Sequence, residues 1–111
     1  MPIVRIPTDE IADWNSFHDV FAKALGFLEE TYGRTMGSWV DHVMDMDDPD
    51  IGLTIYVRRG DVLTLELENA GSFAARCPEQ FQALVDSSAL VNWGRVHRSG
   101  AQPFLALSYQ R

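Results

Sequence analysis

Residues 32–50 read YGRTMGSWVDHVMDMDDPD, and the fold turns on whether this run is a helix, a metal loop or an acidic tail. Five carboxylates crowd its second half, and Arg34 is its only basic residue. Thr35 is a suitable N-cap and Pro49 forbids continuation, so a helix is expected from Thr35 to about Asp47. At about 100° per residue, Met36, Trp39, Val40 and Val43 share one side of that helix. Gly37, Asp41, Asp45 and Asp48 fall roughly opposite, giving an apolar face and a row of carboxylates.

A calcium loop is excluded by register. Counted from Asp45, the fifth position is Pro49, the sixth is Asp50 where the sharp turn needs glycine, and the twelfth is Tyr56 where a glutamate is needed. One cysteine and three scattered histidines show no zinc-ligand spacing. No metal or cofactor is expected.

Outward from this helix the chain alternates strands and helices. PIVRIP is short, β-branched and bounded by prolines, and reads as an opening strand. Asp13 caps a helix beginning at Trp14, whose stripe Trp14, Phe17, Phe21 and Leu25 is closed by Gly26. Residues 27–34 form a connector ending in Tyr32-Gly33. Two extended runs follow, Leu53–Val57 and Val62–Glu68, with Arg59-Gly60-Asp61 as a turn between them. The second alternates well and is the firmer strand. Pro78 opens another helix, with Phe81, Leu84 and Val85 inward, continuing towards Arg98. PFLALSY reads as a buried final strand. The order β-α-α-β-α-β predicts an α/β layer with a small parallel sheet, in one domain spanning residues 1–111.

The formal charge of −7 is unevenly placed: residues 29–50 carry −6 and the remainder −1. A local negative patch disfavours nucleic acid, whose affinity rests on Lys and Arg meeting phosphates, and attracts a basic surface instead. A hydrophobic content of 46% is too rich for disorder, and no apolar run approaches a membrane span. The lone Cys77 and the absence of a secretory h-region at MPIVRIPTDE predict a cytoplasmic location.

Catalysis is not signalled. Asp41 and His42 are neighbours on a helix and point about 100° apart. His18, His42 and His97 are expected to be ordinary surface or half-buried histidines, and there is no Gly-rich phosphate loop or G-x-S-x-G elbow. The basic run GRVHR is expected to be a solvated cluster favoured by a helix C-terminus. A small nuclease or hydrolase built on His42 or His97 is the remaining enzymatic alternative.

The pattern Trp14…Phe17-His18…Leu25-Gly26, then Tyr32-Gly33-Arg34 with Met36, Trp39, Val40 and Asp41, resembles the barstar family of intracellular ribonuclease inhibitors. The tail Ser99-Gly100-Ala101-Gln102-Pro103-Phe104-Leu105-Ala106-Leu107-Ser108 is similar to that family's glycine turn and last strand, and 49–61 looks like an insertion. The resemblance implies a three-stranded parallel sheet flanked by helices. It also implies a non-enzymatic protein, monomeric when free, whose helix and preceding loop enter the active site of a basic ribonuclease or toxin. Carboxylates there take the place of substrate phosphates, Asp41 being the anchor and Gly33 an interfacial loop glycine.

The same comparison implies changed contacts. Val40 stands at an interfacial tryptophan position, Thr31 at an aromatic one, Glu29 at a proline, Thr35 at an asparagine and Gly37 at a second helix aspartate. Arg95 and Ser99 stand where the family carries contacting glutamates. The expected partner-binding set is therefore Thr31, Gly33, Thr35, Gly37, Val40, Asp41, Asp45 and Asp48. The alternative is an interaction module of the same fold with a non-nuclease partner.

Overall fold

The computed structural model describes residues 3–46, 61–99 and 105–111. The expected opening strand is present as β1, Ile3–Ile6. It pairs in parallel with β2, Leu63–Leu67, which pairs in parallel with β3, Leu105–Tyr109. The sheet order is β1-β2-β3, with Ile3 opposite Thr64 and Leu63 opposite Leu105.

Consecutive parallel order has a geometric consequence. Parallel crossovers are right-handed in nearly all proteins, so two in succession stack their helices on one face of the sheet. Burial agrees with that arrangement. Ile6, Leu63, Leu65 and Leu67 are fully buried, whereas Arg5 on the alternate side is exposed and ion-pairs with Glu66 and Glu68. Parallel sheets usually have both faces covered. Here the alternation along β2, Leu-Thr-Leu-Glu-Leu, fits one apolar and one polar face.

Among the described residues, two helices lie between β1 and β2. A single 3-10 turn at Thr8–Glu10 leads into α1, Trp14–Leu25. Asp13 and Ser16 form a capping box, each side chain satisfying the other residue's backbone N–H. Gly26 ends α1 in the left-handed conformation, φ 70°, which glycine adopts without a Cβ penalty. Phe17, Phe21 and Leu25 are fully buried and Trp14 partly so, as the stripe predicts. Each of the three full burials contributes about 1.5–3 kcal/mol.

The decisive run forms α2, Met36–Met44, capped by the Thr35 side chain accepting from Ser38 N–H. Trp39 and Val43 are fully buried, with Trp39 edge-on to Phe21 at 5.8 Å between ring centroids. Met36 and Val40 pack partly against the same core. The helix is shorter than the span expected to about Asp47, closing where Asp45 leaves helical geometry (φ −98°, ψ 6°).

Between β2 and β3 run α3, Ala70–Arg76, and α4, Pro78–Ser99. The short α3 is an addition to the predicted order. It buries Ala70 and Phe73 and follows Asn69 at φ 49°. Arg76 holds it to the first crossover by donating to the carbonyls of Ile11 and Thr8, at 2.9 and 3.2 Å. Pro78 opens α4 as expected, with Leu84 fully buried and Phe81 and Val85 partly so. The run Leu53–Val57, Arg59, Gly60 and the loop weighed for calcium from Asp47 onward lie outside the described residues.

A loop and helix surface held by α1

The connector from Phe27 to Thr35 is fixed from both sides by side chains. Tyr32 is buried and its hydroxyl lies 2.5 Å from His18 Nδ1 on α1. Burial, and secondarily the Arg34 charge, pushes the His18 pKa below its ordinary value. Burial pushes the Tyr32 phenol well above its ordinary value. Both groups are therefore neutral near pH 7, the phenol with its hydroxyl proton and the imidazole with one N–H and one acceptor nitrogen. His18 is 5% exposed, more deeply placed than the half-buried site expected of it. Tyr32 also stands edge-on to His42 of α2 at 5.4 Å.

His42 closes the other side. Its Nδ1 lies 2.9 Å from the Ser38 carbonyl, an acceptor, so that nitrogen carries hydrogen. In the neutral ring Nε2 then accepts from the Thr31 hydroxyl at 3.2 Å. Gly33 N–H donates to Ser38 Oγ at 2.8 Å, folding the loop onto the first turn of α2. Arg34 sits in the left-handed region, φ 55°. Its Nη2 donates to the Asn15 carbonyl and Oδ1 at 2.9 and 2.7 Å, and its Nη1 pairs with Asp19 at 2.9 Å.

The expected partner-binding residues divide in this geometry. Thr31, Gly33 and Thr35 are exposed, yet Thr31 and Thr35 side chains and the Gly33 amide make internal hydrogen bonds. Gly37, Asp41 and Asp45 follow one another along the exposed side of α2, and Val40 is half-buried beside them. Asp41 makes no hydrogen bond or ion pair among the described residues. Among the described residues, a Cβ on Gly37 would meet just Thr35 Oγ1, at 3.8 Å, so the stripe has room there. Asp48 and the Ser99 side chain lie outside the described residues.

Arg95 departs from the solvated basic cluster expected at the end of α4. It is partly buried, and its Nη1 approaches the carbonyl of Met44 in the last turn of α2, at 3.4 Å. A cation there complements the negative end of the helix. His97 is exposed and packs against Trp93 at 4.7 Å, far in sequence from the loop cluster. Tyr32, Ser38 and His42 also fasten the loop, a role outside the partner-binding set expected from the sequence. Their signal was the i, i+4 spacing of Ser38 and His42, which puts both on one helix face beside the loop.

Among the described residues, no helix is long and apolar enough to cross a membrane, and no three metal-ligating side chains converge. What remains is a two-layer α/β protein presenting a rigid loop and a helix with an exposed carboxylate. The chain belongs to the barstar family: the family model described as Barstar (barnase inhibitor) matches residues 1–99. No curated protein matches the chain.

Proposed function

We propose that this single-domain chain is a cytoplasmic inhibitor or immunity protein that blocks the active site of a basic ribonuclease or toxin. The contact surface is the 31–35 loop with the exposed side of α2, and Asp41 is its anchor. The observation carrying this reading is Asp41 itself: an exposed carboxylate on a helix fixed at its capped end, with no partner among the described residues to satisfy it. Such a group is poised for charge-assisted hydrogen bonds with the cations that otherwise hold a substrate phosphate. Membership of a family of inhibitors supports an action without catalysis by this chain. The local charge of −6 over residues 29–50 supports a basic partner over nucleic acid. The free protein is monomeric in this reading.

The test is inhibition of RNA cleavage by the basic ribonuclease or toxin encoded in the same genome, with wild type against Asp41→Ala. Loss of inhibition in the variant supports the assignment, and equal inhibition by both sinks it.

A second reading, a module binding a non-nuclease partner, draws on Gly37 and Arg95. The first adds no carboxylate to the exposed stripe, and the second approaches the end of α2 with its guanidinium. A stable complex with a protein lacking nuclease activity, together with no inhibition of the ribonuclease, selects it.

A further inference from the structure

We infer that Arg34 is a positioning residue, which clasps the 31–35 loop to α1 and holds it in the shape that meets a partner. The inference rests on the inhibitor reading for what the loop does, but the clasp itself stands on geometry.

Arg34 is the sole basic residue in an acidic stretch, and as a bare surface charge it would work against a basic partner. Its guanidinium is instead committed to α1. Two contacts go to Asn15, one to backbone and one to side chain, and the third goes to Asp19, one turn further along the helix. The planar fork of arginine suits this divergent pair of acceptors, and lysine offers a single point charge in its place.

The backbone supplies a second, independent observation. A left-handed φ of 55° is unfavourable for a residue with a Cβ and neutral for glycine. The sequence has a glycine next door, at 33, but no positive φ there; a Cβ on Gly33 would make ordinary contacts with Ser38 at 3.5 Å. The left-handed position is thus occupied by the residue that backbone preference disfavours. The three α1 contacts give the reason: the reversal at Arg34 points its side chain back at Asn15 and Asp19. On either side of it, Gly33 N–H donates to Ser38 Oγ and Ser38 N–H donates to Thr35 Oγ1, so the clasp and the helix cap hold one continuous turn.

Pre-ordering a loop raises affinity by removing the entropy lost when it is fixed on binding. Arg34 therefore strengthens binding through shape while opposing it slightly through charge, and the two effects have opposite signs on substitution.

Amide hydrogen exchange in the free protein tests the clasp directly. Arg34→Gly relieves the backbone and removes the contacts. It is expected to speed exchange at the Tyr32, Gly33 and Ser38 amides by roughly tenfold while Leu65 in β2 is unchanged. Arg34→Lys, keeping the Asp19 contact, restores part of the protection. Unchanged exchange at the three amides in Arg34→Gly overturns the inference.

Binding is then measured with barnase as the probe. Arg34→Ala and the charge-neutral Asn15→Ala are both expected to dissociate several-fold faster, with the Asn15→Ala effect insensitive to salt. Equal or tighter binding by Arg34→Ala, the result of removing a mere surface cation, also overturns it. Should the wild-type chain fail to bind barnase, the inhibitor reading fails for that enzyme, and the exchange result alone decides the clasp.

Discussion

The Tyr32 hydroxyl lies 2.5 Å from His18 Nδ1, so the middle of the exposed loop is hydrogen-bonded to a buried histidine of α1. Trp14 stacks on the same imidazole, Phe17 meets it edge-on, and the Arg34 cation opposes any charge on it, with Asp19 acting weakly the other way. The folded protein thus favours neutral His18.

Stability should therefore depend on pH in a defined window. Because the folded pKa is depressed below the ordinary 6.5, the unfolded chain binds the proton more readily. The His18 contribution is fully present above about pH 6.5 and is lost as pH falls from there through the lowered folded value. Urea unfolding at pH 7.5 and 5.5 should show the loss, and His18→Gln should flatten it. Asp13, whose pKa is lowered by its Ser16 hydrogen bonds, acts in a separate window beginning below its ordinary 3.8. An identical acid limb in His18→Gln would contradict the assignment.

Thr35 should be structural before it is anything else. Its hydroxyl accepts from Ser38 N–H at 3.1 Å, so Thr35→Ala is expected to cost about 1 kcal/mol of stability. Thr35→Ser, which keeps the oxygen, should retain most of it. The urea midpoints of the three proteins provide the comparison.

Two helical glycines should respond differently to alanine. At Gly37 the new methyl makes an ordinary contact with Thr35 Oγ1 at 3.8 Å, and the backbone gain is about 0.5–1 kcal/mol. At Gly94 it would lie 2.7 Å from Met44 Cε, where α4 packs on α2. The mobile end of Met44 must move aside, which offsets part of the same gain. Equal stabilisation by the two substitutions in urea unfolding would show that Met44 moves without cost.

Charge and contact should separate kinetically if a basic ribonuclease is the partner. Glu29 and Glu30 are exposed at the start of the acidic stretch. Their joint change to glutamine should slow association, most at low salt, and leave dissociation nearly unchanged. Asp41→Ala should chiefly speed dissociation. Stopped-flow association at two ionic strengths, with dissociation by competition, distinguishes these outcomes.

Much of the architecture was legible because its signals are local. The Asp13 cap, the 14-17-21-25 stripe and the closing Gly26 fixed α1 to within a residue, and the alternation of Leu63, Leu65 and Leu67 marked β2. The missed α3 has no such signature. At 7 residues it is too short for a persistent stripe, and it follows an asparagine in the left-handed region. It is held by Phe73 burial and by Arg76 reaching the Thr8 and Ile11 carbonyls, 68 and 65 positions away in sequence. The outward placement of Gly37, Asp41 and Asp45 followed from helical periodicity. The loop's fasteners did not, because His18 with Tyr32 and Asn15 with Arg34 are tertiary pairs. Arg95 was misread for the same reason: a basic residue near a helix end looks solvated until the neighbouring helix is in place.

Asn15, His18 and Asp19 lie one, three and four positions apart on α1, and each fastens a residue of the loop. The helix that anchors the core is thus also the template for the exposed surface. Among the described residues, Gly37 and Asp41 carry no comparable internal duty. On the proposed inhibitor reading, recognition is open to change at those two positions by a few substitutions while the frame beneath them stays as it is.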